Sequence, residues 1–162
     1  MIFTLTSVSI TAQPTTVDEK FNRKLNRMLS ESVPFISVEE LDAVKDEVII
    51  LDARELEEYQ VSHIENAIHI GYDNFDQSAV VGIPKNKDII VYCSIGYRSE
   101  KIGEKLQKMG YRSVKNLYGS IFEWANQGKP IVNDDNKATL QVHCYNKKWS
   151  KWVTNPKYEK IY

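Results

Sequence analysis

The chain has 162 residues, of which 42% are hydrophobic and 27% charged, a balance typical of one globular domain and short for two. A formal net charge of -1, from 21 basic and 22 acidic residues, argues against bulk electrostatic attraction to nucleic acid or to a membrane surface. Two cysteines are too few for a disulfide scaffold, and their spacing matches no metal-binding motif.

Residues 1–32 are predicted to form an N-terminal extension. Residues 1–12 are apolar and end at Ala12 in a tripeptide that suits signal peptidase, although no basic segment precedes them. A clipped export signal and a frayed terminus fit this composition equally well, which leaves both the cytoplasm and the periplasm open as compartments. Apolar residues at helical spacing over residues 17–30 predict an amphipathic helix that packs on the following domain.

Between residues 33 and 132, short apolar segments alternate with segments of helical periodicity. Strands are predicted at 35–36, 48–51, 67–70, 88–92 and 113–117, and helices at 37–44, 55–61, 75–81, 97–109 and 121–127. Strands that alternate with helices imply crossover connections between parallel strands. The sequence therefore predicts an α/β fold with a mainly parallel sheet of about five strands and helices on both faces.

Residues 133–162 are predicted to form a basic C-terminal tail that packs on the domain. From residue 137 onward this tail has six lysines and one glutamate, which is typical of a solvated surface. It also contains His143, Cys144, Trp149 and Trp152, for which packing against the domain is the favoured interpretation. Two alternatives stay open: these residues shelter a pocket, or Cys144 serves as a resolving thiol.

The strongest functional signal is Cys93, which lies between the predicted strand 88–92 and the predicted helix 97–109. Ligands of open α/β sheets bind at the carboxyl ends of strands, where helix N-termini and unpaired N–H groups favour a thiolate. Gly96 allows the loop to curl so that its amides point inward, and Arg98 adds a positive charge. These features predict that Cys93 is a nucleophile whose persulfide the loop stabilises. An inert, buried cysteine is the alternative.

Four sequence elements, in this order, resemble the rhodanese family. The matching segments are Leu51-Asp52-Ala53-Arg54 followed by Glu58, Ser62-His63-Ile64-Glu65-Asn66-Ala67, Ile90-Val91-Tyr92-Cys93-Ser94-Ile95-Gly96-Tyr97-Arg98-Ser99, and Asn116-Leu117-Tyr118-Gly119-Ser120 with Trp124 and Gly128-Lys129-Pro130. The resemblance covers most of the middle of the chain and implies a single rhodanese-like domain over residues 33–132.

The resemblance implies a sulfurtransferase that works in two steps. The Cys93 thiolate takes a sulfane sulfur from thiosulfate or a persulfide, and a thiol or cyanide acceptor then removes it. The residues expected to bind substrate are Ser94, Ile95, Gly96, Tyr97 and Arg98, with Asp52, Arg54 and Glu58 in supporting positions. No metal or organic cofactor is implied. We expect a monomer. Its expected partners are a small-molecule or protein sulfur donor and a thiol acceptor, with no nucleic acid and no membrane.

The sequence departs from the family pattern in two turns. Ser62 and the pair Glu65-Asn66 replace glycine and proline residues around His63, and Ser120 replaces the second glycine of the closing element. We expect these residues to lie away from the nucleophile and to affect turn geometry rather than chemistry.

Charge near the nucleophile also differs from that in the two-domain thiosulfate enzymes of the family. Ser94 and Ile95 stand where those enzymes have basic residues, and Glu58 falls at another basic position. The pocket rim is expected to carry Arg98 and Arg54, opposed by Glu58. Because thiosulfate is a dianion, we expect it to bind weakly, with a Michaelis constant in roughly the millimolar range or above.

Two other functions compete with sulfur transfer. Phosphatases and arsenate reductases on this fold use a C-x5-R loop, because a tetrahedral oxyanion is larger than one sulfur atom, whereas four residues separate Cys93 from Arg98. A non-catalytic interaction module is the second alternative, although such modules typically lack the cysteine.

Overall fold

The computed structural model describes residues 13–162, so the expectation of a clipped signal at residues 1–12 lies outside the described residues. Its central feature is a parallel sheet of β1 (Phe35–Ile36), β2 (Ile49–Asp52), β3 (Ile68–His69), β4 (Asp88–Tyr92) and β5 (Ser113–Leu117). The strands lie in the order β1-β5-β4-β2-β3, which puts β4 at the centre. This α/β architecture confirms the fold predicted from the sequence.

The helices of the described residues are α1 (Glu19–Met28), α2 (Val38–Val44), α3 (Leu56–Val61), α4 (Ser78–Val81), α5 (Tyr97–Lys108) and α6 (Ser120–Asn126). The predicted helix at 17–30 begins only after Asp18, whose carboxylate accepts the N–H groups of Lys20 and Phe21 and caps the helix. The predicted helix at 75–81 is only the single turn α4. No helix among residues 13–162 is long and apolar enough to cross a membrane.

Helices cover both faces of the sheet. Alternate residues of a strand point to opposite faces, so each central strand contributes to two cores. Ile50 and Ile90 belong to a core that also contains buried residues of α1, α2 and α6. Their neighbours Leu51 and Val91 belong to a second core, formed with α4 and α5. The central strands are therefore buried on both sides, as their apolar sequences predicted.

The C-terminal segment contains short strands that the sequence did not predict. They are β6 (Ile131–Val132), antiparallel to β7 (Ala138–Thr139), and β8 (Gln141–His143), parallel to β9 (Glu159–Ile161). Strands of two or three residues are too short for an alternating pattern to stand out. Their pairing depends instead on partners that lie elsewhere in the chain.

The C-terminal segment packs on α1 and on the first core. Val142, Cys144 and Val153 are buried in the same core as α1. The ring of Trp152 stacks on Phe21 of α1 with 5.4 Å between the ring centroids. Such an aromatic pair contributes about 0.5–1.5 kcal/mol beyond its buried area. The two ends of the described chain therefore form one layer against the sheet.

Candidate active site

Cys93 directly follows the central strand β4, and its loop leads into the N-terminus of α5. The loop turns at Gly96, whose φ of 118° places it in the left-handed region. This turn points the Gly96 N–H at the Cys93 Sγ, with 3.1 Å between the nitrogen and the sulfur. The amides of Ile95, Tyr97 and Arg98, which are also described, make no hydrogen bond to the sulfur. Of the loop amides expected to point inward, that of Gly96 therefore donates to the sulfur, and the backbone of Ser99 also favours the thiolate.

The environment of Cys93 favours its thiolate. The residue is 1% exposed, and burial by itself raises the pKa of the thiol. The positive charge of Arg98, the polar groups of Ser99 and the N–H of Gly96 act in the opposite direction and leave the pKa below its ordinary value. Because the thiolate is the nucleophilic form of cysteine, the loop increases the reactive fraction at neutral pH.

A buried amide side chain holds the turn in place. Asn116 lies on β5 next to β4 and is fully buried. Its Nδ2 donates to the carbonyl of Gly96 at 2.9 Å, and its Oδ1 accepts from the Ser99 hydroxyl at 2.7 Å. Asn116 thereby ties the turn of the loop to the neighbouring strand.

Ser120 contacts the nucleophile, so the expectation that it lies away from Cys93 is wrong. Its Oγ accepts the backbone N–H of Cys93 at 3.1 Å. Gly119 and Ser120 both have positive φ angles, 73° and 53°, and this turn after β5 places the Ser120 hydroxyl beside the end of the neighbouring strand β4. The sequence motif located the turn but not its neighbour, because adjacency of the two strand ends is a tertiary property.

Arg98 is neutralised by a bidentate ion pair. Its Nη1 and Nη2 donate to the two carboxylate oxygens of Glu58 at 2.6 and 2.8 Å. The Ser94 hydroxyl lies 2.9 Å from Arg98 Nη2 and donates to Glu58 Oε1 at 3.0 Å. Burial raises the pKa of Glu58, but the hydrogen bonds and charge of Arg98 outweigh it, so the pKa lies below its usual value. Glu58 is therefore anionic and accepts two of the five N–H donors of Arg98, while Ser94 accepts a third.

Asp52 and Arg54 form a separate, fully buried pair. Arg54 Nη2 donates to Asp52 Oδ2 at 2.6 Å and to the carbonyl of Ser62 at 2.5 Å. The Arg54 side chain has no exposed area, so the expectation of Arg54 on the pocket rim is wrong. This pair ties the end of β2 to the loop after α3 and has a structural role.

A cavity of about 410 Å³ opens above the Cys93 loop. Its polar lining consists of Cys93, Ser94, Arg98, Glu55 and Asp73. Its apolar lining consists of Met28, Ile95, Tyr72, Tyr97, Tyr145 and Trp149. Of the predicted loop residues, Ser94, Ile95, Tyr97 and Arg98 face this cavity, whereas Gly96 contributes its amide to the sulfur.

The C-terminal segment divides into a buried cysteine and a cavity wall. Cys144 is fully buried, and burial raises the pKa of its thiol to about 11. Of the residues named in the sheltering alternative, Trp149 lines the cavity, whereas Trp152 packs on Phe21. Tyr145, which was not named, also lines the cavity. Both cysteines are free thiols.

Sequence reasoning missed three groups around the site. Asn116, Ser99 and Ser120 lie in the segments that resemble the rhodanese family, but their polar contacts with the Cys93 loop were not expected. The aromatic wall from Tyr145 and Trp149 had a signal in the clustering of aromatic residues in the tail. No sequence signal pointed to Met28, because its position depends on how α1 docks.

Comparison with known proteins yields a family match across the site. The family model for the rhodanese-like domain matches residues 37–127, more than half of the chain and including the Cys93 loop. A tRNA uridine(34) hydroxylase from Erwinia tasmaniensis is 32% identical over 108 residues, which cover 60% of this chain and 31% of that protein. One from Pectobacterium carotovorum is 28% identical over 102 residues. The match spans only about 30% of the length of these relatives.

Solved structures agree with this assignment. A rhodanese-like domain protein from Staphylococcus aureus is 30% identical, with a TM-score of 0.51 over 56% of this chain and 90% of that protein. A rhodanese-related protein from Thermoplasma volcanium is 26% identical, with a TM-score of 0.56 over 61% of this chain and 97% of that one. With the family match over the nucleophile loop, these likenesses show that the chain belongs to the rhodanese-like domain family.

Proposed function

We propose that this protein is a sulfurtransferase that carries sulfur as a persulfide on Cys93. The observation that carries the proposal is the hydrogen bond from the Gly96 N–H to the Cys93 sulfur, in the lining of a cavity to which Arg98 also contributes. A thiolate held in this way is both deprotonated and positioned for attack. The same N–H can stabilise the negative charge of the persulfide once it has formed.

The reaction balances without a cofactor. The Cys93 thiolate attacks the outer sulfur of a donor, forms a new S–S bond and expels the donor's remainder, which is sulfite when the donor is thiosulfate. An acceptor thiolate then attacks the outer sulfur of the persulfide, takes it as a new persulfide and returns Cys93 as a thiolate. The two half-reactions give ping-pong kinetics.

The spacing of the loop favours sulfur transfer over phosphoryl or arsenate chemistry. Four residues lie between Cys93 and Arg98, and the guanidinium of Arg98 is occupied by Glu58. A tetrahedral oxyanion would have to compete with the Glu58 carboxylate for this guanidinium. A non-catalytic module is disfavoured because a lowered cysteine pKa has no role in it.

Mass spectrometry of the protein, intact and after proteolytic digestion, tests the proposal. The protein is incubated with thiosulfate or an organic persulfide, desalted and measured with and without reductant. We expect one added sulfur on the Cys93 peptide, removed by a thiol, and none on the Cys144 peptide. Absence of the adduct with both donors would refute the proposal.

A further inference from the structure

The walls of the cavity come from segments outside the family match, and they carry information about the substrate. Met28 precedes residues 37–127, and Tyr145 and Trp149 follow them. These three side chains nevertheless line the same cavity as Cys93. The catalytic loop is therefore common to the family, whereas this part of the cavity belongs to the chain's own extensions.

The position of Tyr145 is specified by its backbone and by its ring. Its φ of 63° is left-handed, which is uncommon for a residue with a large side chain. Its N–H donates to Nδ1 of His143 at 3.1 Å, which helps to hold this turn. The ring lies 5.2 Å from the guanidinium carbon of Arg98, within the range of a cation–π contact. Tyr145 is still 54% exposed, so its ring retains free surface at the cavity.

The charges at the cavity disfavour an anion. Arg98 is the cation among its described lining residues, and its charge is balanced by the Glu58 carboxylate, while the Tyr145 ring lies against its guanidinium. Glu55 and Asp73 place two carboxylates in the lining. Lys24 and Lys105 lie 5.7 and 5.9 Å from the ring centroids of Trp149 and Tyr72 but are not part of the lining. The two carboxylates therefore dominate the charge that an anionic substrate would meet inside the cavity.

The size and the lining of the cavity suit an organic group. Its volume of about 410 Å³ lies within the range of sites for small organic molecules. Tyr72, Tyr97, Tyr145 and Trp149 present aromatic surface, and Met28 adds a polarisable thioether, which contacts aromatic rings favourably. An inorganic sulfur anion would leave most of this apolar surface unused.

We propose that Tyr145 and Trp149 select an organic thiol, or its persulfide, that bears an aromatic or apolar group and no net negative charge. This inference rests on the proposed transfer of sulfur through Cys93 and names the class of its substrate. The aromatic group would pack against the two tail residues while its sulfur reaches the Cys93 loop.

Discharge of a preformed persulfide tests the acceptor side. Protein loaded with sulfur on Cys93 is mixed with benzyl mercaptan, with its para-carboxylate analogue or with mercaptoethanol, and loss of the adduct is followed by mass spectrometry. We expect benzyl mercaptan to react roughly tenfold faster than its carboxylate analogue, whose thiol is similar. Loading with benzyl persulfide or its carboxylate analogue tests the donor side in the same way. Equal rates within both pairs would overturn the inference.

Alanine variants of two tyrosines distinguish a role of Tyr145 in the cavity from a general effect of losing an exposed aromatic ring. Tyr145→Ala should reduce the ratio of the benzyl mercaptan rate to the mercaptoethanol rate about three- to tenfold, as expected for loss of one aromatic contact. Tyr145→Phe should restore the ratio. Tyr162→Ala removes a ring that is similarly exposed, at 60%, but does not line the cavity, and should leave the ratio unchanged. Equal behaviour of the two alanine variants would contradict a role for Tyr145.

Calorimetry with benzyl methyl sulfide, which cannot accept or donate the sulfur, tests aromatic binding independently of sulfur transfer. We expect wild-type protein to bind it, and Tyr145→Ala and Trp149→Ala to bind it more weakly. Binding without any sulfur adduct on Cys93 would refute sulfur transfer but retain the aromatic site. A sulfur adduct on Cys93 without binding of benzyl methyl sulfide, and with equal rates for the paired thiols, would retain sulfur transfer and refute the aromatic site.

Discussion

The two cysteines of this protein are both buried but have opposite environments. Burial raises the pKa of each thiol, and for Cys144 it dominates and takes the pKa to about 11. At Cys93 the charge of Arg98, the groups of Ser99 and the Gly96 N–H overcome the same effect, and the pKa is lowered. Burial alone therefore makes a cysteine inert. A reactive one also needs a cation and donors that the fold aims at the sulfur.

Replacing each cysteine in turn should produce the largest difference between the two environments. Cys93→Ser removes the only group proposed to bond to sulfur, so we expect sulfurtransferase activity to fall on the order of 10³-fold or more. Cys144→Ser should retain most of the activity and lower the free energy of unfolding by about 1–3 kcal/mol, because it buries a hydroxyl. Activity assays with denaturant unfolding measure both. Equal losses of activity would show that Cys144 takes part in transfer.

The single-cysteine proteins also allow the two pKa values to be separated. In Cys144→Ser, the ultraviolet absorbance of the remaining thiolate should rise with an inflection below about 8.5, the ordinary cysteine value. In Cys93→Ser, no thiolate absorbance should appear below about pH 9, before the tyrosines ionise, because the pKa of Cys144 is about 11. Because the Cys93 pKa is lowered, transfer should fall as the pH decreases through that inflection. Coincident inflections would contradict the role assigned to the loop.

Gly96 tests whether the turn itself is needed. An added Cβ at Gly96 would lie 3.3 Å from Leu29 Cδ1, and the substituted residue would have to keep a φ of 118°. We expect Gly96→Ala to lower the free energy of unfolding by about 1–3 kcal/mol and to raise the Cys93 pKa by displacing the N–H. Gly82→Ala is the matched control, since Gly82 has a negative φ and no atom within 4 Å of an added Cβ. Similar effects of the two substitutions would show that the turn is not constrained.

Replacing Glu58 should have a smaller effect than replacing Gly96 and should shift the pKa of Cys93 downward instead of upward. Glu58→Gln keeps the shape of the side chain but removes the charge that neutralises Arg98. We expect the Cys93 pKa to fall and the Michaelis constant for thiosulfate, expected to be roughly millimolar or above in the wild type, to decrease about three- to tenfold. Steady-state kinetics with thiosulfate measure this. A micromolar constant in the wild type, unchanged by the substitution, would show that the charge argument is wrong.

The Cys93 loop and the C-terminal segment also differ in how much of their structure could be predicted from the sequence. The Cys93 loop lies between a strand and a helix that are adjacent in the chain, so local patterns and a short motif were enough to locate it. Glu58 was named as a supporting residue, but its bidentate contact with Arg98 joins residues 40 positions apart. Arg54 was expected on the rim, yet Asp52 and the Ser62 carbonyl hold it in the interior.

The sequence by itself determined the α/β class, the parallel sheet and the candidate nucleophile, because hydrophobic periodicity and turn residues act over a few neighbouring positions. Only the tertiary structure decided that Ser120 and Asn116 hold the Cys93 loop, and that Met28, Tyr145 and Trp149 form a wall of its cavity. These contacts arise when distant segments bury apolar surface together. They depend on how α1 and the tail dock on the sheet, which no local pattern records.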